Sequence, residues 1–150
     1  MPQSYSALYS HVVFSTKNRK PDIVLEIRDR LYSILGGICR KHDCILMKAG
    51  GIPDHVHLLI SMSRECAIAT LVRDLKSNST GWVKATYLDR PHFSWQEGYA
   101  AFSVSHSQLN IAKRYIETQE AHHKKFTFKE EVVAFLDRHE VKYDKRYLWV

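Results

Sequence analysis

Aromatic and β-branched residues dominate the apolar positions from Tyr5 to Ser15. Leu8, Ser10, Val12 and Phe14 fall on one face of an extended chain, and Tyr9, His11 and Val13 on the other, which predicts a strand. A polar loop, Thr16-Lys17-Asn18-Arg19-Lys20-Pro21, follows. Asp22 is placed to cap a helix running to about His42, with Leu31, Ile34, Leu35 and Ile38 at helical spacing. Cys44 to Lys48 predicts a second strand, Gly50-Gly51 and Pro53-Asp54 a turn, and His55 to Met62 a third strand that completes a hairpin. Ala67 to Ala85 has the period of a helix, with Ile68, Leu71, Val72, Leu75 and Trp82 on its apolar side. Ser77 to Gly81 is its point of weakness. Tyr99 to Ser105 alternates as a fourth strand. Ser105-x-x-Gln108 has the form of a capping box opening a helix from about Ser107 to His123. Lys129 to His139 predicts one more amphipathic helix, and the tail from Tyr143 is aromatic and basic.

The order β-α-β-β-α-β-α predicts an α+β fold: a ferredoxin-like antiparallel β-sheet with helices on one side. No repeat or linker divides the chain, so residues 1–150 are expected to form a single domain. With 45% hydrophobic and 25% charged residues, the composition excludes disorder along the whole length. Many activities use this architecture, so function has to be argued from a site.

Charge narrows the classes of partner. The 22 Lys and Arg exceed the 16 Asp and Glu, for a net charge of +6, which suits a polyanion such as nucleic acid. Cys39, Cys44 and Cys66 are odd in number and form no C-x-x-C pair. That argues against a disulfide framework and a cysteine zinc cage, and fits a reducing cytoplasm. No signal peptide or membrane-length apolar run is present, so the expectation is a soluble cytoplasmic protein with no membrane partner.

The chemistry-bearing stretch is Asp54-His55-Val56-His57-Leu58-Leu59. On a strand, His55 and His57 project side by side while Val56 faces the other way, and two adjacent imidazoles are a natural pair of metal ligands. Two of nine histidines can also fall two apart by chance. A histidine-triad hydrolase would need a third His where Leu59 stands. On the predicted helix 107–123, Tyr115, Gln119 and His122 fall at i, i+4 and i+7, so a phenol, an amide and an imidazole share one face. Most helical tyrosines are packing residues. Here, however, the Gln119 amide oxygen could supply a further hard ligand for Mg2+ or Mn2+.

These residues carry a family resemblance that extends over essentially the whole chain. Pro53-Asp54-His55-Val56-His57-Leu58-Leu59, the stretch Phe93 to Ser105, and Tyr115-Ile116-x-x-Gln119-x-x-His122-His123 together resemble the single-tyrosine (Y1, His-hydrophobic-His) transposases of the IS200/IS605 group, including repeat-associated tyrosine transposases. The resemblance implies a divalent metal, Mg2+ or Mn2+, on His55, His57 and Gln119, with Tyr115 as nucleophile. It implies a homodimer acting on single-stranded DNA with hairpins at the element ends. The reaction it implies is attack by the tyrosine on a DNA phosphodiester, a 5′-phosphotyrosine intermediate, and strand rejoining during transposition.

Candidate DNA contacts are Lys17, Arg19 and Lys20 in the first loop, Arg73, Lys76 and Lys84 on the second helix, and His122, His123, Lys124 and Lys125 near the tyrosine. Phe93, Trp82 and Trp95 could stack on unpaired bases, although Trp82 also suits the core. Two other classes stay open at this point. One is an inactive or domesticated hairpin-DNA-binding protein of the same fold. The other is a metal-dependent phosphohydrolase using water, which would not need Tyr115. An RNA-recognition module would display Gly-Phe-type aromatic motifs, which the strands lack.

Overall fold

A computed structural model describes residues 3–149. Four strands, β1 (Tyr9–Ser15), β2 (Ile45–Ile52), β3 (His55–Ser61) and β4 (Ala100–Val104), form an antiparallel sheet in the order β2-β3-β1-β4. The helices are α1 (Leu25–Lys41), α2 (Ile68–Thr86), α3 (Leu109–Glu117), α4 (Gln119–His123) and α5 (Phe128–Arg138).

The predicted strand faces hold. Val12, Phe14, Val56, Leu58 and Ile60 meet Ile27, Leu31 and Leu35 of α1 and Leu71, Val72 and Leu75 of α2 in the larger core. Each such fully buried aliphatic side chain contributes roughly 1.5–3 kcal/mol.

The placement of all helices on one side does not hold. The opposite face of the sheet is covered as well: Leu59 packs on Leu109 and Ile116 of α3, and Val13 and Phe102 pack on Phe128, Val132 and Leu136 of α5. The physical reason lies in β3, which is buried on both faces from His55 to Ile60 and so needs cover on each. His11, His55 and His57 are thereby sealed inside, on the face under α3 to α5.

Local details also differ from the sequence pattern. Asp22 caps nothing; α1 starts at Leu25 after Val24, with no side-chain cap. β2 runs on through Gly50 and Gly51, and the turn is Pro53-Asp54 alone, between paired Ile52 and His55. Gly50 is required by close approach: a Cβ there would lie 2.8 Å from Ile116 Cγ2 and nearer still to the Ile116 carbonyl oxygen. Ser77 to Gly81 does not break α2; Ser79 is buried, its Oγ donating to Leu75 O (2.5 Å) and accepting from Trp95 Nε1 (2.9 Å), which ties the segment to the core. Trp95 and Phe93 are thus core residues, and Trp82 packs at the core edge.

The predicted helix 107–123 is interrupted. Ser105 makes no capping box, and residues 106–108 form a 3-10 turn. At Thr118 the backbone leaves helical geometry. The Tyr115 carbonyl takes hydrogen bonds from Thr118 Oγ1 (3.3 Å) and Gln119 Nε2 (3.3 Å). A true capping box opens α5, where Thr127 and Glu130 each bond the other's backbone N–H.

Candidate active site

β3 presents His55 and His57 side by side, both without solvent exposure. Two buried imidazoles on a sheet face need polar partners, and the elements covering that face supply them. His55 Nδ1 donates to Asp54 Oδ1 (2.7 Å), which leaves Nε2 aimed inward, 3.2 Å from Gln119 Oε1. His57 Nδ1 pairs with His11 Nε2 (2.7 Å), and His57 Nε2 faces Glu131 Oε1 (2.8 Å). His123 Nε2 lies 3.0 Å from Gln119 Oε1 and 3.3 Å from Glu131 Oε1. The other carboxylate oxygen of Glu131 accepts the Tyr115 hydroxyl and lies 3.2 Å from His122 Nε2.

Burial and charge act in opposite directions here. Burial, reinforced by neighbouring imidazoles, lowers His57 to about 4 and His11 to about 3, so both are neutral near pH 7. Burial also disfavours charge on His55, but hydrogen bonds to Asp54 and Glu131 outweigh it and raise its pKa. Glu131 is held well below the carboxylate range: burial would raise it, but hydrogen bonds from His55 and His57 dominate. Burial and the Glu131 carboxylate raise the Tyr115 phenol far above its ordinary value, so Tyr115 stays protonated at rest.

The donor set fits a divalent cation. Ligand atoms of His55, His57, His123 and Glu131 all lie within 4.8 Å of one another. Metal–ligand bonds of about 2.1 Å give neighbouring-ligand separations of about 3.0 Å in octahedral and about 3.4 Å in tetrahedral coordination. The separations from Gln119 and Glu131 to the imidazoles run from 2.8 to 3.4 Å. Asp54 and His11 orient the two strand histidines from behind, as outer partners of metal-bound imidazoles do.

Comparison with known proteins then decides the family. A sequence model of the family described as IS200-like transposases matches residues 4–119. The chain belongs to this family. The transposase is 29% identical over 117 residues to the ISDra2 transposase TnpA of Deinococcus radiodurans, covering 73% of this chain and 81% of the relative. It is 27% identical over 108 residues to the IS200 transposase of Salmonella typhimurium, covering 67% of this chain and 70% of the relative. A crystal structure of a candidate transposase from D. radiodurans superposes with a TM-score of 0.63 at 28% identity, over 79% of this chain and 96% of that one. A repeat-associated tyrosine transposase solved with its hairpin shares the fold, with a TM-score of 0.62 at 14% identity, over 91% of this chain and 86% of that one. Family membership places the activity in DNA transposition, the class of DNA strand cleavage and joining.

The fold brings His55, His57, Tyr115 and Gln119 together; the His57 and Tyr115 ring centres lie 5.7 Å apart. Tyr115 and Gln119 share the site although they stand on two helices, because the amide folds back onto the Tyr115 carbonyl. Of the expected DNA contacts, His123 instead faces the cluster, with 5% of its side chain exposed, while His122 stands at its rim. Lys76 is half-buried. Its ammonium donates to Gln96 O (2.7 Å) and to Gly98 O, so it anchors that loop rather than facing solvent. Arg73 and Lys84 are exposed on α2, across the sheet from the histidines. Lys17, Arg19 and Lys20 follow Ser15, which pairs with His55, and Lys124 and Lys125 follow α4, so both groups lie near the site. No helix among the described residues is long and apolar enough to cross a membrane.

The sequence reading missed Glu131, His11 and the orienting role of Asp54. His11 was legible, since alternation puts it on the His57 face of the sheet. Glu131 left one signal: a carboxylate in the apolar stripe of Phe128, Val132 and Phe135, a position where charge is normally excluded.

Proposed function

We propose that this chain is a single-strand DNA transposase that cleaves by Tyr115 with a divalent ion, Mg2+ or Mn2+, held by His55, His57 and Gln119. The observation that carries the reading is Tyr115 packed edge-on to His57, one of two fully buried strand imidazoles, with its hydroxyl on the Glu131 carboxylate that also faces His57, in a chain of this family. When bound, the ion would polarise the scissile phosphate and offset its developing negative charge.

The protein's own residues supply the rest. Tyr115 Oη attacks phosphorus in line. The Tyr–O–P bond forms and the bond from phosphorus to the 3′-oxygen breaks, leaving a 5′-phosphotyrosine and a free 3′-hydroxyl. Because Tyr115 is protonated at rest, its proton needs an acceptor: His122 Nε2 (3.3 Å) adjoins the hydroxyl and can take it and pass it to the departing 3′-oxygen, while the Glu131 carboxylate, too weak a base, serves to accept the hydrogen bond. Attack by another 3′-hydroxyl reverses the step and rejoins strands, so no nucleotide hydrolysis is required.

The substrate proposed is single-stranded DNA bearing hairpins; the repeat-associated tyrosine transposase that shares this fold was solved bound to a REP hairpin. A cleft of about 670 Å3 beside the site is lined by Arg19, Gln96, Tyr99, Phe128 and Trp149, offering cationic and aromatic surface to unpaired bases. Phe128 links the cleft to the site, its ring 4.5 Å from that of His55. The family resemblance also implies a homodimer.

The test is incubation with labelled hairpin DNA from the protein's own genomic flanks and Mn2+. The expected result is an SDS-stable protein–DNA adduct that Tyr115→Phe abolishes. Free cleaved product without an adduct, surviving Tyr115→Phe, would instead establish a hydrolase. Binding without cleavage would establish a plain hairpin-binding protein.

A further inference from the structure

We propose that Glu131, carried by α5, is itself a ligand of the bound divalent ion through Oε1, while its Oε2 positions the Tyr115 hydroxyl, so that α5 is part of the active site. This rests on the metal reading above and extends it to residues beyond the family match, which ends at Gln119.

Three observations carry it. Glu131 is 3% exposed, although α5 is a surface helix whose other acidic residue in the first turn, Glu130, points to solvent and caps the helix. A carboxylate is buried this deeply only with strong electrostatic compensation. Its Oε1 lies 2.8 Å from His57 Nε2, 3.4 Å from His55 Nε2 and 3.3 Å from His123 Nε2, all separations of ligands around one ion. Finally, its other oxygen accepts the hydroxyl of the proposed nucleophile. One carboxylate therefore spans the distance from ion to nucleophile. It would fix where the phenol stands relative to the phosphate that the ion binds.

The same geometry recruits His123 and selects the ion. Three imidazoles, one carboxylate and one amide oxygen make a donor set rich in nitrogen. Mg2+ prefers oxygen ligands and retained water, whereas first-row transition ions accept imidazole readily. Mn2+ is therefore expected to bind more tightly than Mg2+.

The experiment reads Mn2+ binding directly, by loss of the free-ion EPR signal on titration, in the full chain and in Glu131→Gln, Glu131→Asp and His57→Ala. Glu131→Gln keeps the shape of the side chain and removes its charge. It is expected to weaken Mn2+ binding by at least roughly ten- to a hundredfold, the loss that follows from altering a residue that only supports a ligand. Glu131→Asp keeps the charge but shortens the reach, and is expected to fall between, which covers the case of a Gln variant that does not fold. In competition, Mg2+ is expected to displace Mn2+ from the wild type only at large excess, and from Glu131→Gln at no lower excess, because that variant loses the anionic oxygen donor a hard ion prefers. Folded Glu131 variants binding Mn2+ with wild-type affinity, while His57→Ala loses it, would overturn the role of Glu131 and leave the metal reading intact. A wild type that binds no Mn2+ would overturn both.

Discussion

At Gly50 the sheet and the tyrosine-bearing helix are in tight contact, and Gly50→Ala tests whether that contact sets the site. The glycine is not in the left-handed region, so the effect of a methyl is steric rather than conformational. A Cβ would meet Ile116 Cγ2 at 2.8 Å and the Ile116 carbonyl carbon at 3.1 Å, with the carbonyl oxygen nearer than either. Restoring an ordinary carbon–oxygen contact of about 3.3 Å requires a movement of about 1 Å. β2 cannot easily give, since Gly50 pairs with His57 in the ladder. The helix must move, and Ile116 directly follows Tyr115. Overpacking of this kind costs about 1–3 kcal/mol, which at about 2–4 °C per kcal/mol lowers the melting temperature by about 2–12 °C. A misplacement of about 1 Å at the nucleophile is worth on the order of a hundredfold in rate. Circular-dichroism melting and the rate of adduct formation on hairpin DNA measure the two effects. Gly81→Ala is the control: nothing lies within 4 Å of its Cβ position inside α2. It should gain about 0.5–1 kcal/mol of stability with an unchanged rate. Wild-type melting and rate in Gly50→Ala would refute the argument that this contact positions Tyr115.

Two further outcomes follow from the same structure. After removal of metal with EDTA, stability should fall with acidity. His57 and His11 have folded pKa values of about 4 and about 3. An unfolded imidazole titrates near 6.5, so the unfolded state takes up the protons first, and stability present above about pH 6.5 is lost as pH falls toward 4. Each group contributes a slope of at most about 1.4 kcal/mol per pH unit; the raised His55 acts the other way. A melting temperature flat from pH 7 to 4.5 would contradict the buried neutral pair. Thr127→Ala, removing one half of the capping box of α5, should cost about 0.5–2 kcal/mol. Limited proteolysis should show α5 opening more often, and cleavage no faster than in wild type would contradict the cap.

The strand half of the site was legible because the period of a strand is rigid. Alternation put Val12 and Phe14 opposite His11 on the first strand and His55 and His57 opposite Val56 on the third, and the β1–β3 register joins the three histidines on one face. The helical half was legible only in part. Spacing brought Tyr115 and Gln119 onto one stripe, but the interruption at Thr118 depends on side-chain hydrogen bonds to the Tyr115 carbonyl that no periodicity encodes. The second helical layer was overlooked although β3 offers apolar side chains to both faces, with Val56, Leu58 and Ile60 on one and Leu59 on the other. Glu131 meets His57 from 74 positions along the chain. Only the tertiary packing of α5 could reveal that contact.

The two halves differ in how firmly they are held, and this bears on a reaction that must both break and rejoin strands. β3 is a central strand, bonded on one side to β1 and on the other to β2, and covered on both faces. Its histidines can shift only if the whole sheet does. α3 is held against the sheet by Leu109, Ile116 and the Gly50 contact, and α4 follows through a non-helical residue. Interfaces with few buried apolar contacts open at lower free energy than core elements. The strand histidines His55 and His57 are therefore the fixed reference of the site, and the tyrosine is its adjustable part. A carboxylate linking the two is of most use in that arrangement, because it would restore the distance between nucleophile and ion each time the helices settle back. Changes at Gly50 should then slow the reaction of Tyr115 more than they weaken ion binding, changes at Thr118, next to the proposed ligand Gln119, should lower both, and loss of His55 or His57 should abolish both.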